Sequence, residues 1–92
     1  MENAKNLGGR PRTRIGAIRT AISMWREARG LTQTALAEQA GVRQGHLSSW
    51  ESGYALPTWS ELEALATILS VTPQHLYSDD MVREIRAAAE VT

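Results

Sequence analysis

From Arg43 to Ser52 the chain sets Arg43, Gln44, Gly45, His46, Ser48 and Ser49 around two large apolar residues, Leu47 and Trp50. Leu47 and Trp50 stand three positions apart, a spacing that puts both on one side of a helix and turns the short or polar residues to the other. The Gln44 amide carries a donor and an acceptor on one edge. That pattern pairs with N7 and the N6 amino group of adenine, and the same amide also serves as an ordinary solvated group. Arg43 has the reach and the fork geometry for a phosphate or a guanine edge, while His46 and Ser48 suit bases and phosphates alike. Gly45 interrupts the row: it weakens a helix by about 1 kcal/mol, and contact there is through the backbone or absent. A projecting helix face that is polar and uncluttered is what entry into a nucleic-acid groove requires.

Other chemistries find little support in the 92 residues. The absence of cysteine excludes disulfides, thiolate nucleophiles and Cys-ligated zinc. His46 and His75, the two histidines, fall in different helical segments with no metal-ligand spacing. No catalytic residue, metal or cofactor is therefore expected, and a small helical domain offers little of the concavity that an enzyme needs. With 42% hydrophobic and 22% charged residues the chain is that of an ordinary folded protein of one domain. No apolar run approaches the ~20 residues of a membrane span, and the start does not read as a secretory signal, so a cytoplasmic protein without membrane contact is expected.

The formal net charge of +0 at first counts against nucleic acid, but the charges are unevenly placed. Lys5, Arg10, Arg12, Arg14, Arg19, Arg26 and Arg29 face only Glu2 and Glu27 in the first 29 residues, a net of +5. From Glu61 onward Arg83 and Arg86 stand against Glu61, Glu63, Asp79, Asp80, Glu84 and Glu90, a net of −4. One end suits an anion and the other solvent or a partner, although charge runs are often only solvated surface.

The elements that must carry these residues are all helical. Residues 1–14, polar, basic and broken by Gly8, Gly9 and Pro11, read as a flexible arm. Ile15, Ile18, Ile22 and Trp25 recur at helical spacing and predict a first helix from Ile15 to about Arg29, closed by Gly30. Thr32 is placed to cap a short second helix to about Gln39 that buries Leu36 and Ala37. Ala40, Gly41 and Val42 leave too short a connection for a hairpin and force a steep crossing into the third helix, about Arg43 to Ser52. A loop containing Pro57 leads to a fourth helix with Trp59, Leu62, Leu65, Ala66 and Leu69 on one face. Thr72 and Pro73 start a short fifth helix that carries Leu76 and Tyr77 inward. A last helix in residues 79–92 has a stripe of Met81 or Val82, Ile85, Ala88 and Ala89 that so small a core need not fully absorb. The helical spacing of Trp25, Trp50 and Trp59 points them to core packing and not to base stacking.

The run LTQTALAEQAGVRQGHLSSWESGYALPTWSELEALATILSV, Leu31 to Val71, closely resembles the Cro and phage-repressor (Xre-like, lambda-repressor-like) helix-turn-helix family. The resemblance implies an all-α, five-helix bundle over residues 15–78, here with the basic arm before it and a C-terminal helix after it. It implies that Gln33 touches a phosphate and braces Gln44, and that Gln44 reads a base directly. Tyr54, in the loop after the reading helix, is implied to lie against the sugar-phosphate backbone. Arg26 and Glu51 match an ion pair of the family that ties the first helix to the end of the third; two independent surface charges are the plainer reading. The family usually has a small residue at the position of Arg43 and often a base-contacting side chain at that of Gly45, so this chain departs from the pattern at both.

The expected partner is double-stranded DNA, read in the major groove. Arg10, Arg12 and Arg14, separated by single residues around Pro11, resemble arms that enter a minor groove or follow phosphates, and an expression remnant or solvated tail explains them equally. The function expected is a sequence-specific transcriptional regulator, a repressor that binds an inverted-repeat operator as a homodimer. The alternative is an antitoxin or other interaction module that binds a partner protein as well as its own operator.

Overall fold

Six helices follow one another through residues 18–91, the part of the chain that the computed structural model describes: α1 (Ile22–Ala28), α2 (Gln33–Ala40), α3 (Gln44–Ser52), α4 (Trp59–Leu69), α5 (Pro73–Leu76) and α6 (Asp79–Val91). No strand occurs among the described residues. The apolar face of α4 carries Leu62, Leu65, Ala66 and Leu69 into the core, and α2, α5 and α6 all pack against it. Ile22, Leu36, Leu47, Trp50, Leu76 and Tyr77 close the core from the other helices. Trp50 is buried. Trp25 and Trp59 are half-buried at its edge, each covered by a guanidinium, with Arg29 over Trp25 at 5.3 Å and Arg86 over Trp59 at 5.6 Å.

Local chemistry sets most helix ends. The Thr32 hydroxyl accepts from the Ala35 amide at 3.0 Å and starts α2. Thr58 and Glu61 form a reciprocal cap at α4: Thr58 Oγ1 accepts from the Glu61 amide at 3.3 Å, and Glu61 Oε1 from the Thr58 amide at 2.8 Å. Gly41 ends α2 at φ 73°, a left-handed conformation that costs glycine little. The next amide, of Val42, turns back to donate to the Ala37 carbonyl at 3.0 Å, so the chain enters α3 at once. Ser70 closes α4 at φ 60°, a left-handed position that no glycine marks in the sequence.

The first helix is shorter than the apolar spacing predicts. It begins at Ile22, and Ile18 to Ala21 are not helical; Ile15 lies outside the described residues. Tertiary backbone bonds take the amides that a helix would use: Ile18 N–H donates to the Gly53 carbonyl at 2.8 Å and Ala21 N–H to the Leu76 carbonyl at 2.9 Å. Ile18 still packs on the core, from a non-helical segment. At the other end, Val82 and Ile85 of α6 join the same core, whereas Ala88 and Ala89 stay exposed.

Candidate nucleic-acid interface

α3 is anchored from behind by Leu47 and Trp50, both buried, and this leaves Arg43, Gln44, Gly45, His46 and Ser48 exposed on its outer side. Ser49 is half-buried. Its carbonyl gathers the Ser52 hydroxyl and the amides of Tyr54 and Ala55, which ties the following loop to the helix. Tyr54 itself stands out from that loop, 79% exposed, the most open large hydrophobic side chain among the described residues. The His46 ring leans toward the Trp50 ring four positions on, with centroids 6.5 Å apart. Arg43 occupies the N-cap of α3 and makes no side-chain bond to the first-turn amides, so its guanidinium is not spent on the helix.

Four side chains from three helices form one connected polar chain beside this face. Arg26 of α1 donates through Nε to Glu51 Oε2 at 2.7 Å and through Nη2 to Glu51 Oε1 at 3.3 Å, the two-pronged geometry that matches guanidinium to carboxylate. Its Nη1 donates to the Leu31 carbonyl at 2.8 Å. Glu51 Oε1 also accepts from Gln33 Nε2 at 2.9 Å, and Gln33 Oε1 accepts from Gln44 Nε2 at 3.0 Å. The side chains of Arg26 and Glu51 are only 12% and 7% exposed, so the pair is shielded from water and salt. The Glu51 hydrogen bond holds the Arg26 guanidinium above its usual pKa, against the opposing effect of burial.

Gln33 and Gln44 are the first residues of α2 and α3, so their hydrogen bond joins the N-termini of the two helices. Those ends carry the positive poles of the helix dipoles, a favourable setting for anions in a segment whose one basic residue between Gly30 and Ser60 is Arg43. A Cβ placed on Gly45 meets nothing within 4 Å, so the fold does not demand glycine there. Arg10, Arg12 and Arg14 lie outside the described residues. The described chain enters beside α3, through the Ile18 bond to the α3 C-cap, Gly53.

The bond from Glu51 to Gln33 spans 18 positions and has no local signature in the sequence, since it depends on the crossing of α2 and α3. The same holds for Arg29, whose Nε donates to the Leu69 carbonyl at 2.8 Å and so ties α1 to the end of α4.

Comparisons with known proteins agree with this geometry. The family described as Helix-turn-helix matches residues 22–76. Among solved structures, the chain is similar to the master regulator for biofilm formation SinR in complex with DNA, at 33% identity over 58% of this chain and 86% of that one, TM-score 0.54. It is also similar to the restriction-modification controller protein C.AhdI from Aeromonas hydrophila, at 28% identity over 59% of this chain and 82% of that one, TM-score 0.56. A complex of SinR with SinI matches at 30% identity over 76% of this chain and 68% of that one, TM-score 0.58. No curated protein sequence matches the chain. With its two short crossed helices, its bundle around α4 and a family match over residues 22–76, the chain belongs to the helix-turn-helix family of the Cro/C1 type.

Proposed function

We propose that this protein is a DNA-binding transcription regulator that acts as a repressor, occupying an inverted-repeat operator as a dimer. The observation that carries the reading is the placement of Gln44: exposed at the first turn of α3 and braced from behind by Gln33, it presents an amide edge outward. A bidentate amide contact of this kind discriminates against other bases by about 1–3 kcal/mol. Arg43, His46 and Ser48 flank it on the same exposed side, and Ser49 borders them. Gln33 and Tyr54 meet the sugar-phosphate backbone, and Arg10, Arg12 and Arg14 add cations that the body lacks. The similarity to SinR in its complex with DNA and to the controller protein C.AhdI supports the same reading.

The dimer places its two reading helices one turn of duplex apart, ~34–36 Å. An apolar cleft of about 690 Å³ between Leu56, Pro57 and Trp59 on one side and Ile85, Ala88 and Ala89 on the other is the surface offered to the second copy. It borders the loop that follows α3. A partner protein in that cleft, as in an antitoxin, is the second reading, and the SinR–SinI complex is the observation that favours it.

Selection of preferred duplexes from a random pool at physiological salt, with wild type and Gln44→Ala in parallel, tests the function. An enriched inverted repeat, with one base preference lost in Gln44→Ala, is the expected result. Failure of the wild type to enrich any sequence would remove sequence-specific regulation and leave the interaction module.

A further inference from the structure

Glu51 gives the polar chain a direction. An ionised carboxylate only accepts hydrogen bonds, and Arg26, which only donates, is bonded to both of its oxygens. Gln33 must therefore turn its NH₂ group to Glu51 Oε1, as it does at 2.9 Å. Its own Oε1 is then left facing Gln44, and an oxygen there can be met only by a donor, so Gln44 must use Nε2, as it does at 3.0 Å. Rotating the Gln44 amide by half a turn would set two carbonyl oxygens against each other with no proton between them. One N–H of Gln44 is thus committed inward. The second N–H and Oε1 remain for the outside, in a fixed order.

We propose that Glu51, acting through Gln33, is a specificity-determining residue: it sets which way round the Gln44 amide lies, and so the order in which α3 presents a donor and an acceptor to a base pair. The proposal rests on the DNA-reading function above. Adenine offers an acceptor at N7 beside a donor at N6, a pattern that only one order of the amide satisfies at a given placement in the groove. An amide free to rotate presents both orders and discriminates less. Glu51 contributes this as a positioning residue, well behind the exposed face, and its two bonds to Arg26 hold the carboxylate in place.

A purely structural Glu51, one that only ties α1 to α3, predicts something different. Its loss would weaken the protein for every duplex alike and leave base preferences where they were. The neutral variant Glu51→Gln keeps the size of the side chain and lets the relay run in either direction. Gln33→Ala cuts the relay while leaving the Arg26–Glu51 pair in place, and it carries the test if Glu51→Gln does not fold.

Duplex selection is run on the full chain for wild type, Glu51→Gln, Gln33→Ala, Gln44→Ala and the double variant Glu51→Gln/Gln44→Ala. The position read by Gln44 is the one whose preference vanishes in Gln44→Ala. The expected result is that Glu51→Gln and Gln33→Ala flatten the preference at that position from roughly tenfold toward parity while other positions keep theirs, and that Glu51→Gln adds nothing there once Gln44 is alanine. In the unbound protein, the Gln44 side-chain amide resonances shift in Glu51→Gln. Retention of the wild-type preference by both single variants, with affinity reduced equally for all duplexes, overturns the proposal, as do unmoved Gln44 amide resonances. A wild type that enriches nothing removes the reading function itself and the proposal with it, an outcome distinct from enrichment with an unchanged preference.

Discussion

At Gly45 the backbone of α3 lies bare on its exposed side, and a methyl group there would meet no neighbouring element among the described residues within 4 Å. Gly45→Ala should therefore stabilise the helix, by about 0.5–1 kcal/mol, because alanine loses less backbone entropy on folding. If α3 enters the groove as proposed, DNA affinity should fall in the same variant, since the added methyl would stand between α3 and the duplex. Denaturant unfolding and a DNA titration read the two effects; undiminished affinity would show that the duplex does not come close at this residue. Tyr77 is the opposite case, a buried residue whose hydroxyl makes no well-formed hydrogen bond among the described residues, although Thr20 lies near it. Burial pushes its phenol up to about 12 from 10, with nearby Thr20 a smaller, opposing influence. The unfolded chain releases this proton near pH 10 and the folded chain keeps it, so the contribution is whole below pH 10 and is lost as the pH rises to about 12. The loss amounts to about 3 kcal/mol at most. Tyr77→Phe should fold at least as stably at neutral pH and lose less stability than wild type between pH 9 and 11.5 in urea melts. Equal alkaline losses in the two proteins would assign the effect to another group.

α4 was legible in the sequence because the stripe Leu62, Leu65, Ala66 and Leu69 has helical period just after Pro57, whereas the Thr58–Glu61 cap that closes its start, though equally local, came from the structure. The start of α1 was not legible. Ile15, Ile18, Ile22 and Trp25 have the same period, yet the Ile18 and Ala21 amides bond to Gly53 and Leu76, partners more than thirty residues away that no period can announce. α6 shows the reverse, with an apolar stripe longer than the core absorbs: Val82 and Ile85 are 4% exposed, while Ala88 and Ala89 remain at the surface. If α6 is part of the cooperative unit, Ile85→Ala should cost about 2–4 kcal/mol in a single unfolding transition. A loss below 1 kcal/mol, with separate melting of α6, would make that helix an appendage.

At the scale of the whole molecule, the charges are separated along the chain: α3 has few cations around it, and under the proposed function Lys5, Arg10, Arg12 and Arg14 would supply the rest. Affinity that relies on them must be salt-sensitive, since each neutralised phosphate adds about 0.9 to the slope of log K against log salt. Removal of residues 1–17 should lower that slope by about 2–4 and weaken all duplexes alike, leaving base preference to α3. An unchanged slope would exclude those residues from the interface. By itself the sequence determined the helical elements, the crossing of α2 and α3 and the exposed row around Gln44, because period, caps and turns act over a few neighbouring residues. Only the tertiary structure decided that Arg26, Glu51, Gln33 and Gln44 form one directed chain, that α1 begins at Ile22 and that α6 shares the core. Those outcomes depend on which distant donors and acceptors folding brings within about 3 Å of each other, and contact at that range is a property of packing rather than of spacing along the chain.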